Sequence, residues 1–434
     1  MLFLLVTTVI KWVFLVLLFV MPLATLLTWM ERRQSALTQD RLGPWRASFF
    51  SVGGKPVRLL GLLHPIADAI KMLFKEPFTP AAADKKLFGV APMIGYVFAL
   101  TVLAVIPFGP DIPTSIVPFV SEETIAKYPV LPLQVVRVDA GILWIFAFAS
   151  LGVYGTAIAG WASNNRFALL GGMRATAQAI SYEVALGLTV VGVLIAYATT
   201  EPSAIVSAQN TTGALGLPLW GIFVQPFGAL LFFIASVAET KRTPFDIPEG
   251  ESEIIGYFIE YSSMGFGMFM LGEFVEIVVL SAVFSTFFLG GWDLPWIMSD
   301  SSIWLGVTTL TPESMGQGAF HLLHMLLGMG IWGAKIFFLC ALQLQIRWTL
   351  PRFRYDQVMN LGWKMLLPLA LANIFVSAAL IWWDPTLTAM TIVGLAFILM
   401  VFVVAFAGPR RRPAHQVAHG SHSSDSHGHA AAGH

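Results

Sequence analysis

Long apolar runs recur along the chain, broken by short stretches where charges and prolines collect. Several of these runs exceed the ~20 residues a helix needs to cross a bilayer. Nine spans are expected: Phe3–Met30, Leu87–Phe108, Gly141–Gly160, Ala175–Ala198, Trp220–Val237, Gly265–Phe288, Ala319–Leu342, Trp363–Trp383 and Leu387–Ala407. The first run is too long for a secretory signal and lacks a small-residue cleavage pattern, so it reads as a retained span. No internal repeat is visible, which counts against a transporter assembled from inverted halves.

The polar stretches between runs have patterns of their own. From Pro65 to Phe74, Asp68, Lys71 and Lys75 fall at helical spacing opposite Ile66, Ile70 and Phe74. Proline suits the first turn of a helix, and about ten residues are too few to span, so an amphipathic helix lying on the membrane surface is predicted. Residues 109–139 hold several prolines and read as an irregular outer loop. After Pro409 the chain turns basic, then small and polar, with His415, His419, His422, His427, His429 and His434. That tail cannot bury a core and is expected to be disordered; its irregular histidine spacing favours adventitious metal binding over a site. The expected division is a helical membrane domain over residues 1–409 and a cytoplasmic tail over 410–434.

Composition agrees with the pattern. Hydrophobic residues make up 56% of the chain and charged residues 12%, with a mean hydropathy of +0.75. Of the 25 Lys and Arg, only Lys127 and Arg137 fall on one side of the spans and Lys11 and Lys335 inside them. All others share the opposite side, so the positive-inside rule places the N-terminus outside and the C-terminus in the cytoplasm. The formal net charge of zero argues against a nucleic-acid partner. Cys340 is the sole cysteine, too few for an iron–sulfur cluster, a zinc site or an internal disulfide. Electrons for any redox step would come from another subunit.

The carboxylates carry the chemistry. Glu239, Asp246, Glu249, Glu251 and Glu253 crowd one short loop facing only Lys241 and Arg242. Repulsion and desolvation prevent such a set from ionising independently, as a proton reservoir requires; the plain alternative is a solvated acidic loop. Within the spans lie Glu183, Glu273 with Glu276 three residues on, and Lys335. A carboxylate at mid-bilayer costs roughly 2.5–3.5 kcal/mol, so these residues are expected to face a bundle interior or a wet path. Gly265, Gly267 and Gly272 permit close packing or a local irregularity there. His321 and His324 lack zinc-motif spacing and read as structural.

Three functions fit this constellation. The chain forms the membrane half of a quinone pocket, with Arg32, Arg33, Arg41 and Asp68 near the headgroup; or it moves ions beside a hydrogenase-like partner; or it is a free-standing proton-coupled transporter.

Five strings sharpen the choice: Gly160–Asn164, Ala177–Val184, Ala238–Asp246, Glu249–Glu253 and Pro351–Gln357. In these the chain resembles the quinone-site membrane subunit of proton-pumping NADH:quinone oxidoreductase, respiratory complex I, from about Glu31 to Leu371. That family is the NADH dehydrogenase subunit 1 family, whose bacterial members are the H-type subunits. The resemblance implies an all-α polytopic bundle that is part of an enzyme but not catalytic alone. Quinone is its substrate, and FMN and iron–sulfur clusters reside in partner subunits. It further implies quinone contacts at Arg32, Arg41, Asp68 and Phe245, and a proton path or coupling route through Glu183, Glu239, Arg242, Asp246, Glu249, Glu251, Glu253, Glu260, Glu273 and Lys335. Expected partners are the soluble quinone-site and iron–sulfur subunits, small membrane subunits and antiporter-like subunits, in a bacterial cytoplasmic membrane. The related subunit of membrane-bound hydrogenase or formate hydrogenlyase is the alternative. Trp45 stands where the family usually has asparagine, and the chain is one residue short between Glu253 and Glu260.

Overall fold

Eight helices in the computed structural model are long and apolar enough to cross a membrane. The structure describes residues 2–407 except 50, 53–54, 57, 117–120, 249, 251–255, 300–301 and 305–308. In chain order the elements that matter are α1 (Phe3–Thr38), α2 (His64–Phe74), α3 (Lys85–Val105), α4 (Gly141–Ala162), α5 (Arg166–Tyr197), α6 (Pro226–Glu239), α7 (Ser263–Phe288), α8 (Gln317–Thr349), α9 (Tyr355–Trp383) and α10 (Thr388–Phe406). This is an all-helical, polytopic membrane protein.

Several helices outrun the apolar segments that announced them. Helix α1 continues to Thr38, α5 begins at Arg166 rather than Ala175, and α8 ends at Thr349. The added turns carry charges, which hydropathy discounts although the backbone hydrogen bonds continue through them. Local chemistry fixes the starts. The Asp84 side chain accepts from the Lys86 and Leu87 N–H groups at the head of α3. Asn165 accepts from Phe167 N–H at 2.9 Å to open α5. Both are N-cap bonds to donors that no helical carbonyl can reach.

The expected span Trp220–Val237 is broken. A short turn, Gly221–Val224, stops at Gln225, and α6 starts at Pro226. Proline lacks the N–H needed to continue a helix but suits its first turn. At 14 residues α6 reaches about 21 Å, short of the ~30 Å hydrocarbon layer. The Gln225 side chain fills the break. Its Nε2 donates to Gly192 O at 2.9 Å and Ser377 Oγ at 2.8 Å, and Asn373 Nδ2 donates to its Oε1 at 3.3 Å. Interrupted backbone survives at this depth because protein groups, not lipid, surround it.

Packing places α3 between α4 and α7, α5 against α4, α6 and α9, and α7 against α8. Small residues set the tightest contact. A Cβ on Gly155 of α4 would lie 2.7 Å from Gly95 N of α3, so the two backbones nearly touch, as membrane helices favour. Phe232, Phe274, Phe287 and Phe288 are fully buried, whereas Leu5, Ile10 and Leu18 of α1 face outward. Trp382 and Trp383 end α9 fully exposed, consistent with an interfacial aromatic belt.

A helix over the expected Pro65–Phe74 stretch is present as α2. Its end is held by Ser263 Oγ, which hydrogen-bonds the carbonyls of Met72 and Lys75 at 2.9 and 2.7 Å. At Gly267 a Cβ would fall 2.8 Å from Met72 Sδ; α7 runs unbroken there, so this glycine serves close packing rather than an irregularity. The loop over 109–139 is more ordered than its prolines suggested. Ile112–Pro113 pairs antiparallel with Val130–Leu131, and Glu122–Lys127 is a short helix.

Candidate functional site

Helix α1, carried past the apolar segment, delivers Arg32 to the side of α2, where it forms an ion pair with Asp68. The pair borders a cavity of about 210 Å³ whose other walls are apolar apart from Thr25 and Thr28, and include Met21, Met72, Met270 and Phe274. Arg32 also borders a more polar cavity of about 390 Å³ that it shares with Glu31, Arg41, His64 and Trp348. The chain between α1 and α2 must fold back tightly to close this second space. At Gly61, with φ +88°, a Cβ would lie 1.9 Å from Pro44 O, so no other residue fits. His64 Nε2 accepts the Arg46 and Ala47 N–H groups, both at 3.0 Å, which orders the stretch containing Trp45.

Behind Arg32 runs a ladder of ions. Glu31 accepts from Arg347 Nη1 of α8 and from Arg242 Nη1, each at 2.5 Å. Arg242 reaches on to Glu273 of α7 at 3.3 Å and lies 3.9 Å over the Phe274 ring. Its neighbour Lys241 turns the other way, 3.6 Å from Glu276. Lys241, Arg242 and Glu273 are all buried. Two consecutive cations thus divide between two acids one turn apart on α7. The loop is pinned from behind: Gln178 Nε2 of α5 donates to Ala238 O at 2.7 Å and Phe245 O at 2.8 Å.

Glu276 opens onto a third space. A narrow cavity of about 60 Å³ lies among α3, α4, α5, α6 and α7 and is lined by Glu183, Glu239 and Glu276 within apolar walls. Ser150 of α4 donates to Glu183. Among the described residues, Oε2 of Glu239 and Oε2 of Glu276 are buried with no protein hydrogen-bond partner. The volume admits a few waters, and three carboxylates supply the polar partners such waters need.

The structure therefore unites many of the residues singled out by sequence, and separates others. Arg32 lines one cavity with Asp68 and another with Arg41, Arg242 and Glu273 belong to the ladder, and Glu183 and Glu239 to the acid cavity. Phe245 is elsewhere, in the core, between Tyr182 (5.9 Å) and Phe353 (5.5 Å). Asp246 is partly buried in the pinned loop. Glu260 accepts from Asn165 Nδ2 at 2.6 Å; beside it Tyr261 stacks on Phe88 at 3.9 Å, and burial pushes its phenol pKa up. Lys335 is at the distant end of α7, donating to the carbonyls of Leu289, Gly291 and Asp293. Glu249, Glu251 and Glu253 lie outside the described residues, as does the histidine tail. Sequence reasoning missed Glu31 and Arg347 as members of the site. Nothing local marks them, because their partners are hundreds of positions away. Among the described residues, no group of three or more His, Cys, Asp or Glu is placed to hold a metal ion.

Known proteins resemble this chain over most of its length. Residues 10–378 match the NADH dehydrogenase family. The chain is 41% identical over 355 residues to an H-type subunit of NADH-quinone oxidoreductase from Cytophaga hutchinsonii, covering 82% of this chain and 91% of that protein. It is 44% identical to the corresponding protein of Rickettsia bellii over 361 residues (82% and 89%) and 40% identical to that of Bdellovibrio bacteriovorus over 370 residues (82% and 91%). The chain belongs to the NADH dehydrogenase subunit 1 family, that of the H-type membrane subunit of NADH-quinone oxidoreductase, complex I.

Proposed function

We propose that the chain forms the membrane half of the quinone tunnel in an NADH-quinone oxidoreductase of a bacterial cytoplasmic membrane. In this reading it couples quinone reduction to proton movement. The observation that carries the proposal is the continuity of charge: Arg32 and Asp68 at the entrance, then Glu31, Arg242 and Glu273, then Lys241 and Glu276, then the cavity of Glu239 and Glu183.

The apolar cavity suits a quinone's hydrocarbon tail, and Arg32, Asp68 and Arg41 are polar groups for the headgroup to pass. Electrons arrive from soluble partner subunits carrying FMN and iron–sulfur clusters; this chain binds and orients quinone. Reduction to quinol adds two electrons and consumes two protons. That change in charge acts first on Arg32, Arg41 and Glu31, which border one space. Arg242 bridges Glu31 and Glu273, so any shift of its guanidinium towards one acid weakens its hold on the other. Lys241, one residue away, passes the displacement to Glu276 and the acid cavity. Waters held by Glu183, Glu239 and Glu276 then supply the short proton steps. Asp246, Glu249, Glu251, Glu253 and Glu260 surround this route in the sequence and complete the proposed acidic path, while Phe245 shapes it from the core side.

The test uses the intact complex. Glu239→Gln keeps the shape of the side chain and removes its proton chemistry. The expected result is at least about a tenfold loss of inhibitor-sensitive quinone reduction, equivalent to ~1.4 kcal/mol, with NADH oxidation by ferricyanide unchanged. Unaltered quinone reduction and pumping would remove the acid cavity from the mechanism.

A further inference from the structure

Away from the acid cavity, α7 carries polar residues on the face it turns to α8. The two helices run antiparallel in a definite register. Lys335 meets the carbonyls of Leu289 and Gly291, Gln343 Nε2 meets Ser281 Oγ at 3.1 Å, and Arg347 lies at the level of the Glu31–Arg242–Glu273 ladder. Cys340 Sγ adds a contact to Ser281 Oγ at 3.4 Å. Two side-chain oxygens nearby are buried with no protein partner among the described residues: Gln343 Oε1 on α8 and, one turn along α7 from Ser281, Ser285 Oγ. Gln343 is only 7% exposed and Ser285 0%. Exchanging the oxygen and nitrogen of the Gln343 amide does not remove the problem, because one of the two still lacks a partner. Leaving a buried polar group unsatisfied is costly because its bonds to water are lost without replacement, and a bridging water removes that cost.

We propose that the α7–α8 seam is a second hydrated lane, with ordered waters bound at Gln343 Oε1 and at Ser285 Oγ. It would lead from the Glu31 ladder to the end of the bundle where Lys335 sits. The spacing is short enough for a chain of hydrogen bonds. Gln343 stands one helical turn from Arg347, Ser285 one turn from Ser281, and the carbonyl of Leu289 one turn further. Each step is about 6 Å along the axis, the reach of a single bridging water with two bonds of ~2.8 Å. Ser285 can release one proton from its hydroxyl while taking another, and Ser281 does the same once the weak Cys340 thiol bond yields its lone pair, so a proton relayed through the lane leaves both unchanged. Gln343 only orients its water. Lys335, held by three carbonyls, closes the lane with a fixed cation.

The functional part rests on the reading that this chain takes part in proton movement; the water sites do not. A map of the intact complex detailed enough to show ordered water is expected to have density within hydrogen-bond distance of both atoms. Density at neither overturns the proposal. In proteoliposomes, Gln343→Leu and the smaller change Ser285→Ala are each expected to lower the protons moved per NADH while inhibitor-sensitive quinone reduction continues. Ser285→Ala keeps the test valid if Gln343→Leu does not assemble. An unchanged proton ratio in every variant that assembles overturns the lane. Failure of the broader coupling would show instead as an indifferent Glu239→Gln, so the two outcomes are separable.

Discussion

Arg242→Met offers the sharpest probe of the ion ladder. Arg242 and Glu273 are each only 8% exposed, and the guanidinium also joins Glu31 and covers Phe274. Methionine keeps much of the apolar contact with Phe274 but leaves Glu273 without this partner in a buried place. Removing one partner of a buried ion pair typically costs about 3–5 kcal/mol, because the remaining charge is uncompensated. That corresponds to roughly two to four powers of ten in the equilibrium between native and locally opened arrangements. Glu31 suffers less, since Arg347 still holds it at 2.5 Å. The measurement is the amount of assembled complex and its thermal midpoint, followed by quinone reduction in whatever assembles. The single variant is expected to assemble poorly and to reduce quinone slowly.

A second substitution separates stability from coupling. Replacing both partners of a buried pair by apolar residues is often neutral or stabilising. Arg242→Met combined with Glu273→Leu is therefore expected to restore assembly while quinone-linked turnover stays low. Two results refute the reasoning. A single variant with the native midpoint and turnover would mean that the ladder carries no energy. A double variant with native turnover would mean that the ladder is scaffolding and that charge does not pass through it.

Arg41→Ala is expected to weaken binding of quinone-site inhibitors without slowing NADH oxidation by ferricyanide; equal losses would indicate misfolding. Gly155→Ala must open the α3–α4 contact, where a Cβ would lie 2.7 Å from Gly95 N, at about 1–3 kcal/mol. Gly89→Ala, with nothing within 4 Å, is the control, and equal midpoints for the two would contradict the packing. At the head of α10, Asp384 accepts from Thr386 and from Ala389 N–H. These bonds hold its pKa below the ordinary 3.8, so the cap is complete at neutral pH and is lost as pH falls through that lowered value. Asp384→Asn is expected to speed amide exchange at residues 386–389 at neutral pH; unchanged exchange would show that the charge adds nothing to the cap.

The legible parts of this structure are those that depend on composition over a long window. A run of ~20 apolar residues has one stable form in lipid, because only a helix satisfies its backbone internally. The amphipathic α2 was equally readable, since Asp68 and Lys71 alternate with Ile66 and Ile70 at helical spacing. The break at Gln225 was not. Pro226 was visible, yet whether it starts a helix or kinks one depends on Gly192, Asn373 and Ser377, which come from α5 and α9. Glu31 failed for the same kind of reason. In sequence it is the first charge after a span, next to two arginines close enough to neutralise it. In the fold Arg32 turns to Asp68, and Glu31 is met by Arg242 and Arg347. Lys335 read as one more intramembrane charge, but its place is fixed by the end of α7.

In the proposed function, coupling would turn on the pairing of Lys241 and Arg242. A ligand shifts an equilibrium only by the difference in its interaction with the two states. A quinone bound in the proposed entrance cavities would touch neither Glu239 nor Glu183, so it would have to act through an element with two arrangements. The loop that carries both cations is the candidate on this reading: Arg242 contacts both Glu31 and Glu273, and Lys241 pairs with Glu276. Drawing Arg242 towards the entrance leaves Glu273 less compensated and drags Lys241 along the backbone, away from Glu276. Each lost contact between buried charges is worth on the order of 1.5–3 kcal/mol, so two changing together give about 3–6 kcal/mol, against the ~5.5 kcal/mol that takes a population from 1:99 to 99:1. The bond from Gln178 to Phe245 O sets the limit of that travel, because it anchors the far end of the loop on α5.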